Sequence, residues 1–413
     1  MTITTSSQFA SIIETGTDWR DTAKKVLEQL EAVRTDNDGF NFGFLYISDH
    51  LSGDLSSILN LFKSVLNIEN WVGSIGMGVC GNGIEHIDKP AISCMIGHFD
   101  EDQFCFFSTG MHNDENDFSK SSENWLKHHD PMLVLSHGDP MMQDNPNHLL
   151  KNIDMDIGGF CVGGLASSRT QHGVVIKNPH TDIMGGVIFS DSIKVATSIS
   201  QGCVPTSDIH TITKCHDNSA ISINDKPALD IFEDDLRAMT VKKSDIDPND
   251  IKISGDILRN PEKLPDEIKN IFKGEMHVAF PVSGSDQGDY LVRNIISIDE
   301  DERSIDIAHM LITGERMMFV HRDDESVRAD LSQTLLQLRQ RVIKDNDDFT
   351  PKGAIYISCV ARAFNNFGEE EECGEMALVK EVIGDIPLTG FYASGEISSG
   401  RLYGYTGILI LFL

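Results

Sequence analysis

The sequence predicts an α/β protein of two modules, with mixed sheets built from repeated β-loop-α-β units plus antiparallel meanders, flanked by helices. Three observations predict it. An apolar run that fits a buried strand leads through a polar loop and an amphipathic segment into a second apolar run ending in glycine, and this order occurs three times. Between these units lie β-runs of another kind, joined by acidic turns, which read as hairpins. Finally, 413 residues at 40% hydrophobic can bury more than one core.

Taken in order, residues 19–33 read as a helix, and the first unit comprises residues 42–48, a helix from about 54 to 66, and residues 71–78. The turn Gly73-Ser74-Ile75-Gly76-Met77-Gly78 lacks dinucleotide spacing and reads as a corner. Residues 91–98 with 103–108 read as a hairpin, and 112–124, rich in Asp, Asn and Ser, as an exposed loop. The second unit is 131–136, 146–153 and 157–164; residues 174–176 with 185–200 form a further antiparallel part, and 228–239 a helix.

A domain break is expected between 240 and 270, where charge and Pro261 and Pro265 interrupt any long element, giving modules at 20–240 and 241–413. A meander follows over 276–280, 292–298, 305–311 and 317–320. Leu331, Leu335, Leu338 and Val342 share one face of a core-facing helix at 324–344. The third unit is 353–358, 373–383 and 387–395, and the apolar run 407–413 must be paired in a sheet rather than left as a free edge.

Lys and Arg total 34 against 64 Asp and Glu, a formal charge of -30, which repels phosphate backbones and anionic bilayers. Nucleic acid and membrane insertion are therefore not expected. The N-terminus has no basic flank and no leader-like apolar run, and no long uncharged stretch follows, so a cytoplasmic protein is expected. The eight cysteines include no Cys-x-x-Cys pair and lie largely in apolar strands, as expected of reduced, buried thiols rather than a structural zinc site or covalent haem.

Four patches carry a binding signal. Gln201-Gly202-Cys203-Val204-Pro205 places Gly, Cys and Pro between apolar runs and makes a shaped turn that brings N–H groups and a thiol close to something. Gly163-Gly164-Leu165-Ala166-Ser167 makes another, and Gly395-Glu396-Ile397 and Tyr405-Thr406-Gly407 stand near the C-terminus. Either turn aims amides at an anion or is a tight corner after a buried strand. Gln201 and Ser167 hydrogen-bond a polar ligand or their own turn. Cys203 lines a ligand or packs, with a thiol-dependent enzyme as the less favoured alternative, because no base adjoins it. Glu396 pairs with a ligand ammonium or with Arg362, and Tyr405 caps the pocket or stacks in the core.

These patches, in this order, resemble the FIST family (F-box and intracellular signal transduction proteins). Its N-terminal module carries Gly-Gly-x-Ala-Ser and Gln-Gly-Cys-x-Pro turns, and its C-terminal module closes with Gly-Phe-x-x-x-Gly-Glu-Ile, here Gly390 to Ile397, and a Tyr-Thr-Gly strand. The resemblance covers about residues 20 to 413. It implies a sensory module for a small-molecule ligand, with a pocket drawn from Gly164, Ala166, Ser167, Gln201, Gly202, Cys203, Pro205, Arg362, Gly395, Glu396, Tyr405 and Thr406. It implies no chemistry, and an enzyme is not expected: no Gly-x-Ser-x-Gly elbow, His-Glu-x-x-His helix or P-loop is present.

Family members often carry a kinase, cyclase or methyl-accepting domain. This chain is expected to relay its signal to a partner signalling protein such as a histidine kinase or cyclase. One branch of the family binds b-type haem and senses nitric oxide, for which His98, His137, His172 and His277, beside β-runs, are the axial candidates. The chain departs from the family pattern at Val204, where an Arg is usual, at Thr206 and Ser207, and at Ser398-Ser399. The missing Arg removes the expected carboxylate clamp from the first turn.

Overall fold

The computed structural model describes residues 3–36, 39–109, 118–243, 275–282, 289–363 and 374–413. The described chain is mixed α/β and forms two compact units, Met1–Gln201 with Asp330–Leu413, and Gly202–Ala329.

Each of the three predicted repeats supplies the parallel pair of a different sheet in the larger unit. Phe42–Ser48 runs parallel to Asn70–Gly76, Pro131–Gly138 to Phe160–Leu165, and Gly353–Cys359 to Leu388–Ala393. A parallel pair needs a crossover, and helices Leu55–Leu66, Pro146–Asp156 and Glu375–Ile383 provide it. The first crossover helix buries Leu55, Ile58, Leu59, Phe62 and Leu66 along one stripe and ends at Asn67 in the left-handed region. The second starts where the Asn145 side chain accepts from the Asn147 amide, with Pro146 in the first turn. Cys373, expected to begin the third, lies outside the described residues.

The inner faces of the three sheets share one core. Phe42 and Phe44 from the first, Leu133 and Phe189 from the second, and Ile355, Phe391 and Phe412 from the third belong to a single buried cluster. Helices Trp19–Asp36 and Leu55–Leu66 cover the outer face of the first sheet around Trp71 and Ile75, and Leu149, Leu150 and Ile153 cover the second. The strand Gly407–Phe412 is paired on both edges, with Val195–Ser200 and Gly353–Cys359, as its apolar run requires.

Two expected antiparallel parts are corrected. The strand Ala91–Gly97 pairs within the first sheet, whereas Phe104–Thr109 pairs in the second. Likewise Val174–Ile176 joins the first sheet, Met184–Ser190 the second and Val195–Ser200 the third. Consecutive strands turn a corner between sheets because Phe99, between the first two, is fully buried among Phe42, Phe104 and Phe189. The loop expected over 112–124 is in part the helix Phe118–Leu126; residues 112–117 lie outside the described residues.

The smaller unit keeps the first three strands of the expected meander but corrects its last step: Arg316–Arg322 pairs with His210–His216 instead of Ser304–Ile307, which pairs with Ser219–Ile223. Glu275–Pro281 pairs with Tyr290–Asp299, Tyr290–Asp299 with Ser304–Ile307, and Arg316–Arg322 closes back on Glu275–Pro281. The third strand stops at Ile307, short of the expected 311. Helix Ala228–Lys243 packs Leu229, Phe232 and Leu236 against this sheet. The break expected between 240 and 270 falls largely outside the described residues. In helix Asp324–Asn346, Leu331, Leu335, Leu338 and Val342 are all buried.

Candidate functional site

The Gly163–Gly164 turn and the Gly395–Glu396 patch meet. Strand Phe160–Leu165 is flanked by Pro131–Gly138 and by Glu396–Ser398, with Gly164 opposite Glu396. Both glycines serve this close approach. A Cβ on Gly163 would lie 1.7 Å from the Ser136 carbonyl oxygen, and one on Gly164 would lie 2.8 Å from the Ala393 Cβ. The amides that could have formed an anion nest are already used: Leu165 N–H donates to Gly395, Ala166 N–H to Gly138 and Ser167 N–H to Ile75. The Ser167 hydroxyl donates to the Tyr392 carbonyl and accepts from the Met77 amide, so it ties strands together. Ser394 Oγ in turn donates to the Ala166 carbonyl.

Beside this junction lies a buried polar cluster. Glu396 is fully buried; its Oε2 accepts from the Thr406 amide at 3.1 Å and hydroxyl at 2.8 Å, while Oε1 has no hydrogen-bond partner. Burial pushes this carboxyl up to about 8, against the pull of Thr406, Arg362 and the neighbouring Cys359 thiol. Arg362, 1% exposed, does not pair with Glu396. Its Nε donates to Glu375 Oε1 at 2.7 Å and its Nη2 approaches the same oxygen at 2.6 Å, while Nη1 donates to the Tyr405 carbonyl at 3.2 Å and both Nη groups to Ser200 Oγ.

Glu375 also accepts from the Tyr356 hydroxyl and Ser358 Oγ, each at 2.7 Å. Its own amide donates to Glu85, which takes the Tyr392 hydroxyl as well. Burial pushes Glu85 up to about 7. Glu375 and Glu85 escape sequence reasoning because each resembles something ordinary: an acid in a helix first turn, and a single acid in the short strand Ile84–Ile87.

The remaining candidates divide between the two units. Gln201 ends a segment of the larger unit, while Gly202, Cys203 and Pro205 belong to the smaller. There Gly202 has φ +66, Cys203 is 3% exposed with its carbonyl taking the Tyr290 hydroxyl, and Val204–Pro205 pairs with His321 and Val320. Tyr405 is half-buried with φ +66, a left-handed conformation that is uncommon for an aromatic residue and that accompanies the bond from its carbonyl to Arg362. Of the twelve candidates, the structure therefore groups Gly164, Ala166, Ser167, Gly395, Glu396, Thr406, Arg362 and Tyr405 in one region of the larger unit.

Of the four axial candidates, His137 has no nitrogen free for iron. His137 is fully buried in the core, with Nδ1 3.3 Å from the Gly164 carbonyl and Nε2 3.2 Å from the Tyr46 hydroxyl. A carbonyl only accepts, so the proton sits on Nδ1 and Nε2 accepts from Tyr46, leaving neither nitrogen for iron. Burial pulls this imidazole down to about 4 and keeps it neutral. His98 is exposed and bonded to Gly39 and Asp100, and buried His277 lies 3.2 Å from Glu275. His172 lines a 230 Å³ cavity together with His180, Gln171 and Ser52, which is polar and smaller than the roughly 300 Å³ at the low end of small-molecule pockets. A second cavity, of 420 Å³, is lined by none of these histidines.

No disulfide joins two of the described cysteines, and no group of three or more His, Cys, Asp or Glu among the described residues is placed to hold a metal. No helix among the described residues is long and apolar enough to cross a membrane.

Three sheets around one core, joined by crossover helices and carrying an internal ionic cluster, together with a meander unit, define a two-module α/β protein. The FIST N domain matches residues 41–226 and the FIST C domain residues 257–399, and the chain belongs to the FIST family, whose domains are sensory domains of signal transduction. Curated relatives include an uncharacterized protein of Mycobacterium bovis and one of Mycobacterium tuberculosis strain CDC 1551, each 25% identical over 275 residues, 65% of this chain and 64% of theirs. A further uncharacterized protein of M. tuberculosis H37Rv is 23% identical over 275 residues. The chain thus spans about 64% of the length of the curated relatives it matches.

Proposed function

We propose that this protein is a sensory module that binds a small polar ligand beside Glu396 and relays occupancy to a partner signalling protein such as a histidine kinase or cyclase. The observation that carries the reading is Glu396 itself. A fully buried carboxyl that its raised pKa keeps protonated at neutral pH, with Oε2 accepting twice from Thr406 and only the Cys359 thiol beside Oε1, leaves the Oε1 proton without an acceptor, and a ligand group that accepts from Oε1 offsets that cost. The adjoining Arg362–Glu375 pair gives the signal a route, because a change at Glu396 or Thr406 is felt at the Tyr405 carbonyl and so at the guanidinium. Binding without chemistry is favoured by Cys203 being buried with its backbone tied to Tyr290, which suits packing better than nucleophilic attack.

Native mass spectrometry of the freshly purified full chain, followed by thermal-shift screening of polar metabolites, tests this. Wild type is expected to retain or be stabilised by a small molecule, and Glu396→Gln to lose that response. A response equal in both proteins removes Glu396 from the site, and no response in either removes the ligand.

A further inference from the structure

The 420 Å³ cavity lies where the three sheets of the larger unit end together. Gln8 reaches it from the first sheet, Gln103 from the second, and Lys194, Lys352 and Phe412 from the third. None of these residues belongs to the Glu396 region. Buried Ile193, Val342 and Phe412 contribute an apolar floor, and amide, hydroxyl and amine groups make the rest of the lining.

The two glutamines are oriented by their own partners. Gln8 spends its Nε2 on the His98 carbonyl at 2.8 Å, which leaves Oε1 to accept; Gln103 spends its Oε1 on the Asp100 amide at 2.9 Å, which leaves Nε2 to donate. One fixed acceptor and one fixed donor suit hydroxyl groups, which do both. Charge adds a second requirement. The cavity gathers Lys194 and Lys352 with two carboxylates, that of Asp348 and the α-carboxylate of Leu413, in a chain of formal charge -30. The Lys352 amine is already paired with the Leu413 α-carboxylate at 2.9 Å, so Lys194 is the amine left for a ligand anion.

We infer that this cavity is a second binding site, for a small polyhydroxylated anion: hydroxyls to Gln8 and Gln103, the anionic group to Lys194, and the C–H face of the molecule over Phe412. A sugar acid and a sugar phosphate both have this chemistry. The site does not depend on the Glu396 reading, and the two fail separately.

Isothermal titration of the full chain with gluconate, glucose 6-phosphate and glucose tests the inference. At least one of the two anions binds and glucose binds more weakly; whichever anion is tighter identifies the anionic group. Lys194→Ala weakens that binding by about tenfold, the size of one charge-assisted hydrogen bond. Gln103→Leu weakens anions and glucose alike, and Glu396→Gln leaves all three unchanged. No binding by any probe at millimolar concentration, or binding indifferent to both Lys194→Ala and Gln103→Leu, overturns the site.

Discussion

Arg362 binds Glu375, and Glu396 is left beside it without a counter-charge in contact. Nε and Nη2 of the arginine both approach one carboxylate oxygen of Glu375, at 2.7 and 2.6 Å, in a site closed to solvent. Two acids and one base therefore share the interior. The base is held by the acid that also receives two hydroxyls.

Breaking that pair by one partner strands a buried charge. Glu375→Ala is expected to destabilise the larger unit by about 3–5 kcal/mol, whereas Arg362→Met with Glu375→Leu recovers most of the loss, because the desolvation cost of both ions disappears together. Urea denaturation of the single and double variants reads this directly. A single variant as stable as wild type would show the pair to be inert.

Glu396 gives a definite pH dependence. Its folded value, about 8, lies above the ordinary 4.5, so the folded state holds a proton that the unfolded chain has lost. The stability this contributes is complete below about pH 4.5 and is lost as pH rises through 8. Glu396→Gln keeps an oxygen for Thr406 and does not titrate, so it flattens the curve of urea midpoint against pH over that window and exceeds wild type above pH 8. Glu85, at about 7, adds the same sign over a narrower range.

His137 acts in the opposite direction. Held neutral down to about 4 against an ordinary 6.5, it contributes stability that is present above pH 6.5 and lost as pH falls through 4. His137→Phe removes that acid sensitivity and leaves the Tyr46 hydroxyl unpaired, at a cost of about 1–3 kcal/mol at neutral pH. Circular dichroism between pH 7 and 3.5 separates the two effects. A variant that keeps the wild-type acid midpoint excludes His137 as the cause.

Gly163→Ala is expected to prevent assembly of the second sheet, because its Cβ meets a backbone oxygen that cannot move without unpairing two parallel strands. Gly53→Ala is the control, since nothing lies within 4 Å of a Cβ there. Soluble yield and melting temperature of the two variants should differ sharply; equal behaviour would mean that the strand pair shifts freely.

The parallel pairs were legible because a strand buried on both faces shows as an unbroken apolar run, and the amphipathic stretch after it has only one structural use. Pairing across corners was not. The turn after Phe99 closes with Gln103 N–H on the Asp100 carbonyl, as a hairpin turn does, and only the burial of Phe99 in a distant aromatic cluster sends the next strand elsewhere. At the site, glycines announced the junction of Gly164 with Glu396 because close backbone approach demands them. The partner of Arg362 could not be read, since Glu396 and Glu375 look equally available until the third sheet brings Tyr356 and Ser358 to the same carboxylate.

The placing of Gly407–Phe412 between Val195–Ser200 and Gly353–Cys359 sets the order of events during synthesis. The first 201 residues emerge with apolar faces meant for a sheet whose second strand is made last, whereas Gly202–Ala329 is a contiguous stretch that completes its own pairings as it is translated. Closure of the larger unit is thus a late, long-range event of high contact order, and a nascent chain stalled before Gly407 offers an unfilled sheet edge to chaperones or to a neighbouring copy.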